Sequence, residues 1–359
     1  MDFFVHKDIE QAGTIPSQFY KDPKVFAEAR DRVFTPSWQF VGDTDLVKIP
    51  GQTYPFILLE GLLDEPLVFT RDLKDELRLL SNVCTHRAMT VVESAGNERY
   101  LRCRYHGRRF GLDGCFQHMP EFENVCNFPS PKDDLVHVPW GAWNKLLFAS
   151  VAPKADLSHH LKPVQNRLHW LPLHEFHHVP NLSRDYLVRA NWALYVDNYL
   201  EGFHIPFIHA GLNDILDYDN YVTELFEHGN LQVAMANSGE GCFDLPPSSP
   251  DFGKRVSAYY YWLFPNTMLN FYPWGLSVNV VKPLAPDLTR VSFLCYVWKE
   301  DLLNMGAGAS LDRVEREDEV VVEAVQRGVR SRFYDLGRFS PRREQNVHHF
   351  HRLLSEALS

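Results

Sequence analysis

The sequence predicts an α+β protein: a small antiparallel β domain, then a larger half in which strands and helices are mixed. Two observations carry this expectation. From Trp38 to about Ala152 the chain consists of short alternating or β-branched runs separated by Gly, Pro and Asp, the texture of strands joined by turns. Beyond residue 166, comparable runs share the chain with segments whose apolar residues recur at helical spacing.

Asp22 to Phe34 (DPKVFAEARDRVF) places Val25, Phe26, Ala29, Val33 and Phe34 at helical spacing, which predicts an amphipathic helix. FVGDTDLVKI, YPFILLEG, EPLVFTRD, LRLLSNV and KLLFASVA are the expected strands of the β domain. PKADLSHHLKPVQ, polar and proline-bearing, reads as the boundary near residues 152–166. Trp192 to Phe203 is expected to be helical, and SAYYYWLF (257–264), GLSVNVVKPL (275–284) and TRVSFLCYVW (289–298) to be strands. Leu311 to Arg330 and roughly Pro341 to Leu358 are the last expected helices. The chain then divides into residues 1–37, a helical segment packing on the second domain; 38–152, the β domain; and 153–359.

With 359 residues, 45% hydrophobic and 23% charged, the chain can build two cores of ordinary size. A net charge of −10 argues against binding nucleic acid or an anionic membrane. The opening MDFFVHKDIEQAG lacks the basic start and apolar run of a secretory signal, and no apolar run approaches the ~18 residues of a membrane span. A cytoplasmic location is expected. Six scattered cysteines do not make a disulfide framework.

Asn82 to Gly111 reads NVCTHRAMTVVESAGNERYLRCRYHGRRFG, with Cys84-x-His86 and Cys103-x-x-His106 separated by sixteen residues. Structural zinc sites usually pair Cys with Cys and His with His, whereas here each pair is mixed. A Rieske [2Fe–2S] centre takes two cysteines on one iron and two histidines on the other, so two loops that each supply one of each suit it. Gly107 allows the backbone to come close to such a cluster. Cys115, Cys126, Cys242 and Cys295 have no ligand-spaced companions and read as small apolar residues.

CTH followed by CRYHG, with GLDG (111–114) downstream, resembles the Rieske-type non-haem iron oxygenases. The resemblance implies a Rieske domain whose [2Fe–2S] cluster is held by Cys84, His86, Cys103 and His106, and a helix-grip catalytic domain with a mononuclear Fe(II). Arg104 and Arg108 depart from the common pattern of the family and read as solvated surface arginines, Arg108 more so than Arg104.

A second group lies in NWALYVDNYLEGFHIPFIH (191–209). Glu201 and His204 share a helix face at i and i+3, and Pro206 can break the helix so that His209 returns toward His204. Two histidines and a later carboxylate would make the facial triad of a non-haem Fe(II) oxygenase. Asp312, Glu315, Glu317, Asp318, Glu319 and Glu323 all offer that carboxylate. The pattern resembles the E/D-x-x-H-x-x-x-x-H motif of the same oxygenases, which implies His204 and His209 as iron ligands. It also implies Glu201 as a hydrogen-bonded bridge from a cluster histidine of one subunit to an iron-binding histidine of its neighbour. By the same resemblance Asp318 is the third ligand, with Asp312 the second choice, and Glu at position 201 points to the choline monooxygenase and carnitine oxygenase branch. Asp197, one turn before Glu201, is expected near the iron. HHFH (348–351) and the pairs His159/His160 and His177/His178 are assigned no chemistry.

The resemblance further implies a homotrimer, and a separate flavin and iron–sulfur reductase that carries electrons from NAD(P)H. No glycine-rich dinucleotide fingerprint follows a strand in this chain. Expected pocket walls are Phe203, Phe207, Tyr259, Tyr261, Phe271, Tyr272 and Trp274. An aromatic box would suit a trimethylammonium group, so O2-dependent hydroxylation or oxidative N-demethylation of a quaternary amine or betaine is expected. An aromatic compound or aromatic acid is the alternative substrate; an electron carrier without oxygenase activity and a zinc-stabilised module are the remote ones.

Overall fold

The structure is a computed structural model that describes residues 3–209, 222–237, 239–303, 305 and 311–359. The chain forms two compact units, Trp38–Lys154 and a second made of Met1–Ser37 with Ala155–Ser359.

The smaller unit contains β1 (Gln39–Asp43), β2 (Gln52–Leu58), β3 (Glu65–Arg71), β4 (Leu77–Ser81), β5 (Gly96–Asn97), β6 (Leu101–Arg102), β7 (Arg109–Phe110), β8 (Phe116–His118), β9 (Trp140–Trp143) and β10 (Leu146–Ala149). They pair antiparallel in three sheets, ordered β1-β10-β9, β4-β3-β2-β5 and β6-β7-β8. FVGDTDLVKI is a strand only as far as Asp43, whose carboxylate accepts from Asp45 N and turns the chain into a 3₁₀ segment. Successive side chains of a strand face opposite ways, and β3 and β4 are buried on both faces. Leu67, Phe69 and Leu79 pack with Val47, Leu58 and Leu147. Val68 and Leu80 pack on the other side with Cys84, Cys103, Leu101 and Phe110.

The larger unit is built on antiparallel strands β11 (His177–His178), β12 (Arg184–Val188), β13 (Val222–Phe226), β14 (Gly229–Met235), β15 (Val256–Leu263), β16 (Thr267–Tyr272), β17 (Gly275–Ala285) and β18 (Leu288–Val297). The described sheet runs β11-β18-β17-β16-β15-β14-β13, and β12 also pairs with β18. Its helices are α1 (Pro23–Ala29), α2 (Leu157–Leu168), α3 (Trp192–Tyr199), α4 (Ile205–Ile208), α5 (Leu311–Gly328) and α6 (Gln345–Leu358). Asp22 caps α1 by accepting from Lys24 N, and the helix runs on into a π-helical turn closed by Thr35 N to Arg30 O at 2.9 Å. Helix α3 packs against both β17 and α5, which brings two separate stretches of sequence to one place.

The segment near residues 152–166, expected as a polar boundary, is largely helix α2. Leu157, Leu161, Val164 and Leu168 form a buried stripe at helical spacing that outweighs Pro163 inside the helix. Arg167 at its end reaches the buried Asp251 at 2.8 Å. Strands β13, β14 and β16 were not anticipated from the sequence.

The N-terminal segment belongs to this unit through specific bonds. Thr14 N donates to Gly337 O and Ser17 N to Asp335 O. Ile15 N donates to His351 Nδ1 at 3.0 Å on α6, so that ring carries its proton on Nε2, which faces Asp197 Oδ1 at 2.8 Å. Tyr20 donates its hydroxyl to the other oxygen of Asp197, also at 2.8 Å.

Candidate metal centres

In the smaller unit the two Cys/His loops have the same backbone plan. Cys84 N donates to Met89 O and Ala88 N to Cys84 O; Cys103 N donates to Arg108 O and Gly107 N to Cys103 O. Each loop turns at a residue with positive φ, Ala88 at 56° and Gly107 at 76°, a conformation that costs glycine nothing. The result faces like with like. Burial pushes the Cys84 thiol up, its sulfur accepts from the backbone N–H groups of His86 and Arg87, and it is hydrogen-bonded with Cys103. The His86 and His106 rings lie with centroids 4.7 Å apart. Burial first, and then His106, lowers the pKa of His86, so the imidazole is neutral and a lone pair is available to a metal. Two buried thiols on one side and two imidazoles on the other are the donor set a [2Fe–2S] cluster of this type requires.

Of the two arginines expected at the solvated surface, Arg108 contradicts the expectation and Arg104 meets it. Arg108 is 2% exposed; it pairs with Asp133 at 2.5 Å and lies over the rings of Phe110, Phe116 and Phe128. Arg104 is the solvated one, with a 74% exposed side chain beside Glu93. Of the three rings only Phe110 is near Arg108 in sequence; Phe116 and Phe128 come from farther along the chain, so local sequence does not show the nest.

In the larger unit α3 ends at Tyr199 and a new helical turn, α4, starts after His204. Pro206 sits in the first turn of α4, where its missing N–H is no loss, so it opens the second helix instead of breaking the first. His209 returns to His204, with ring centroids 5.1 Å apart. Nδ1 of His204 is 2.7 Å from Glu201 Oε1, and Nδ1 of His209 is 2.7 Å from Glu317 Oε2. Carboxylates therefore hold both Nδ1 positions, and both Nε2 atoms face one oxygen, Asp318 Oδ1, at 3.5 and 3.0 Å. The ligand atoms of His204, His209 and Asp318 all lie within 4.8 Å of one another, which suits one metal ion. Burial would lower His209, but its hydrogen bonds to Asp318 and Glu317 outweigh that and raise it.

Asp312, the second choice for the third ligand, goes elsewhere. Asp312 accepts from Tyr186 and pairs with Arg316. Glu317, one of the six carboxylates the sequence offers, holds Nδ1 of His209. Asp197 is held by Tyr20 and His351. The HHFH segment is accordingly structural, with His348 bonded to His6 O and His349 to Phe226 O. His159 does have partners, with Glu227 at 2.8 Å and the half-buried His228 nearby, but His159 and Glu227 are exposed, and such a group is common without a metal.

A cavity of about 130 Å³ opens on the His204/His209/Asp318 group. Its aromatic walls are Tyr195, Tyr199, Tyr260, Tyr272 and Phe293. Of the expected wall residues only Tyr272 lines it. Phe207 is 78% exposed, and Tyr259, Tyr261 and Phe271 occupy the opposite face of β15 and β16, as the pairings Tyr260 with Asn270 and Tyr259 with Phe271 require.

Two family matches agree with this geometry. Residues 37–129 match the Rieske [2Fe-2S] domain and residues 170–359 match the ring hydroxylating alpha subunit (catalytic domain). The chain belongs to the Rieske non-haem iron oxygenases. Within that family the oxygenase is 31% identical to choline monooxygenase, chloroplastic, of Arabidopsis thaliana, over 98% of this chain and 84% of the relative. It is 29% identical to the carnitine monooxygenase oxygenase subunit of Escherichia coli (strain K12), over 97% and 94%. A solved quaternary ammonium Rieske monooxygenase shares the fold with a TM-score of 0.80 at 24% identity, covering 99% of this chain and 100% of that one. Naphthalene 1,2-dioxygenase from Rhodococcus sp. shares it at 0.76 and 19% identity, covering 96% and 93%. The oxygenase is thus an oxidoreductase with a Rieske [2Fe–2S] domain and a non-haem iron catalytic domain, and it has a terminal oxygenase role.

Proposed function

We propose that this oxygenase hydroxylates or oxidatively N-demethylates a quaternary amine or betaine. The cavity chemistry carries the substrate class. Five aromatic side chains surround it, and its described lining includes the carboxylates of Glu201, Glu315 and Asp318 but no Lys or Arg. Aromatic faces and carboxylates attract an onium group, whereas the carboxylate of an aromatic acid finds no Lys or Arg among the described lining residues. The relatives named as choline and carnitine monooxygenases support the same reading.

In this reading Cys84, His86, Cys103 and His106 hold the cluster, and His204, His209 and Asp318 hold the ferrous ion. When bound, the ferrous ion supplies the site of dioxygen activation and the cluster supplies electrons one at a time. The residues around them set the donors. Glu201 and Glu317 accept the Nδ1 protons of His204 and His209, which fixes both tautomers and leaves both Nε2 lone pairs toward the ion. The aromatic walls hold the substrate and exclude water. Glu201 also serves as the bridge to a cluster histidine of the neighbouring subunit in a homotrimer, and a separate flavin and iron–sulfur reductase brings the electrons of NAD(P)H. A cytoplasmic setting belongs to the same reading. No helix among the described residues is long and apolar enough to cross a membrane.

The test is turnover under O2 with NADH and a surrogate reductase, comparing choline, betaines and carnitine with benzoate-like acids. Consumption of the quaternary amines is expected. Turnover confined to the aromatic acids overturns the substrate class, and a monomer in solution overturns the bridging role of Glu201.

A further inference from the structure

Glu315 lies on α5 one turn before Asp318 and is 3% exposed. Tyr195 donates to its Oε2 at 2.5 Å, while Oε1 is buried without any hydrogen-bond partner. Buried carboxylates are normally paired, so an unpaired oxygen on a residue that lines the cavity leaves a charge that a cation in the cavity would balance. No Lys or Arg pairs with Glu315 among the described residues. Of the other two carboxylates lining the cavity, Glu201 is engaged by His204, and Asp318 faces both imidazoles. Glu315 is the remaining one. Burial, reinforced by the charges of Asp318, Glu319 and Asp312 and opposed by the Tyr195 hydrogen bond, pushes it up to about 8. A carboxylate so placed gains most from a cation, which takes the place of its proton.

We propose that Glu315 is the anionic anchor of the cavity, its buried carboxylate attracting the positive head of an onium substrate that the surrounding tyrosines and Phe293 enclose. The inference rests on the quaternary-amine reading and deepens it by naming the residue that selects for positive charge. A quaternary ammonium group has no N–H to donate, so the attraction is Coulombic and adds to that of the aromatic rings. Glu315 binds substrate and takes no covalent part.

The experiment uses the metal-loaded oxygenase, wild type and Glu315→Gln, and measures Kd for choline, L-carnitine and γ-butyrobetaine. It also measures Kd for 3,3-dimethyl-1-butanol, the uncharged carbon isostere of choline. Glutamine keeps the shape and an acceptor for Tyr195 but removes the charge. For whichever quaternary amines the wild type binds, the substitution is expected to weaken binding by about 30-fold or more, with the affinity for 3,3-dimethyl-1-butanol unchanged. Equal binding of the quaternary amine by both proteins overturns the role of Glu315 alone, as does an equal loss for the charged and uncharged ligands. A wild type that binds no quaternary amine overturns the substrate reading and this inference together. The wild type gives an independent reading if the variant does not fold: no preference for choline over its isostere overturns the proposal.

Discussion

At the scale of single residues, the proposed iron site depends on which ring nitrogen of each histidine holds its proton. Glu317 fixes that choice for His209 from 2.7 Å. Glu317→Gln is expected to weaken iron binding at this group by about 10–100-fold, read as loss of mononuclear iron while the Rieske electron-spin signal persists. Undiminished iron affinity would show that Glu317 only decorates the helix. The resemblance to the E/D-x-x-H-x-x-x-x-H motif names His204 and His209, and the short interval with Pro206 lets the chain bring them together. It could not single out Glu317, since α5 carries acids at six positions from Asp312 to Glu323 and only a partner from another element tells them apart. Tyr260 was missed for a related reason. In a run of three tyrosines alternation says that one parity faces the cavity, but a shift of one residue exchanges the faces.

At the scale of elements, α2 is fastened by an ion pair whose acid partner is nearly inaccessible. Asp251 is 1% exposed and accepts from Arg167, Lys254 and Tyr259. Burial alone would push its pKa up, but the bond from Arg167, then that from Lys254, outweighs it and holds the carboxyl below the ordinary value of 3.8. A carboxylate depressed in the folded state stabilises above its unfolded pKa and loses that contribution as pH falls through the folded value. Asp251→Asn is therefore expected to cost about 3–5 kcal/mol near neutral pH, and the gap from wild type should close in acid below 3.8. Chemical denaturation across pH checks this, and a gap independent of pH would refute it. Elements with strong periodicity were legible: the strands at 256–263, 275–285 and 288–297 and helices α3, α5 and α6 lie within a few residues of where pattern alone puts them. Helix α2 was hidden because Pro163 and its polar residues mask a narrow stripe of four apolar positions.

At the scale of the whole molecule, three distant stretches meet at Asp197. Tyr20 comes from the N-terminal segment, Asp197 from α3 and His351 from α6. Tyr20→Phe and Asp197→Asn are expected to be non-additive, with a coupling energy of about 0.5–3 kcal/mol in a double-mutant cycle on thermal unfolding. Strict additivity would mean that the contact carries no energy. Nothing local in the sequence announces such a meeting, because its members are separated by up to 331 positions.

The same clasp has a temporal side. Ile15 must wait for His351, 336 residues later, and at ~5–20 residues per second a ribosome takes roughly 17–67 s to supply it. Residues 38–154 are complete long before that, so the smaller unit can leave the exit tunnel and acquire its shape while the earlier segment that precedes it is still without a counterpart.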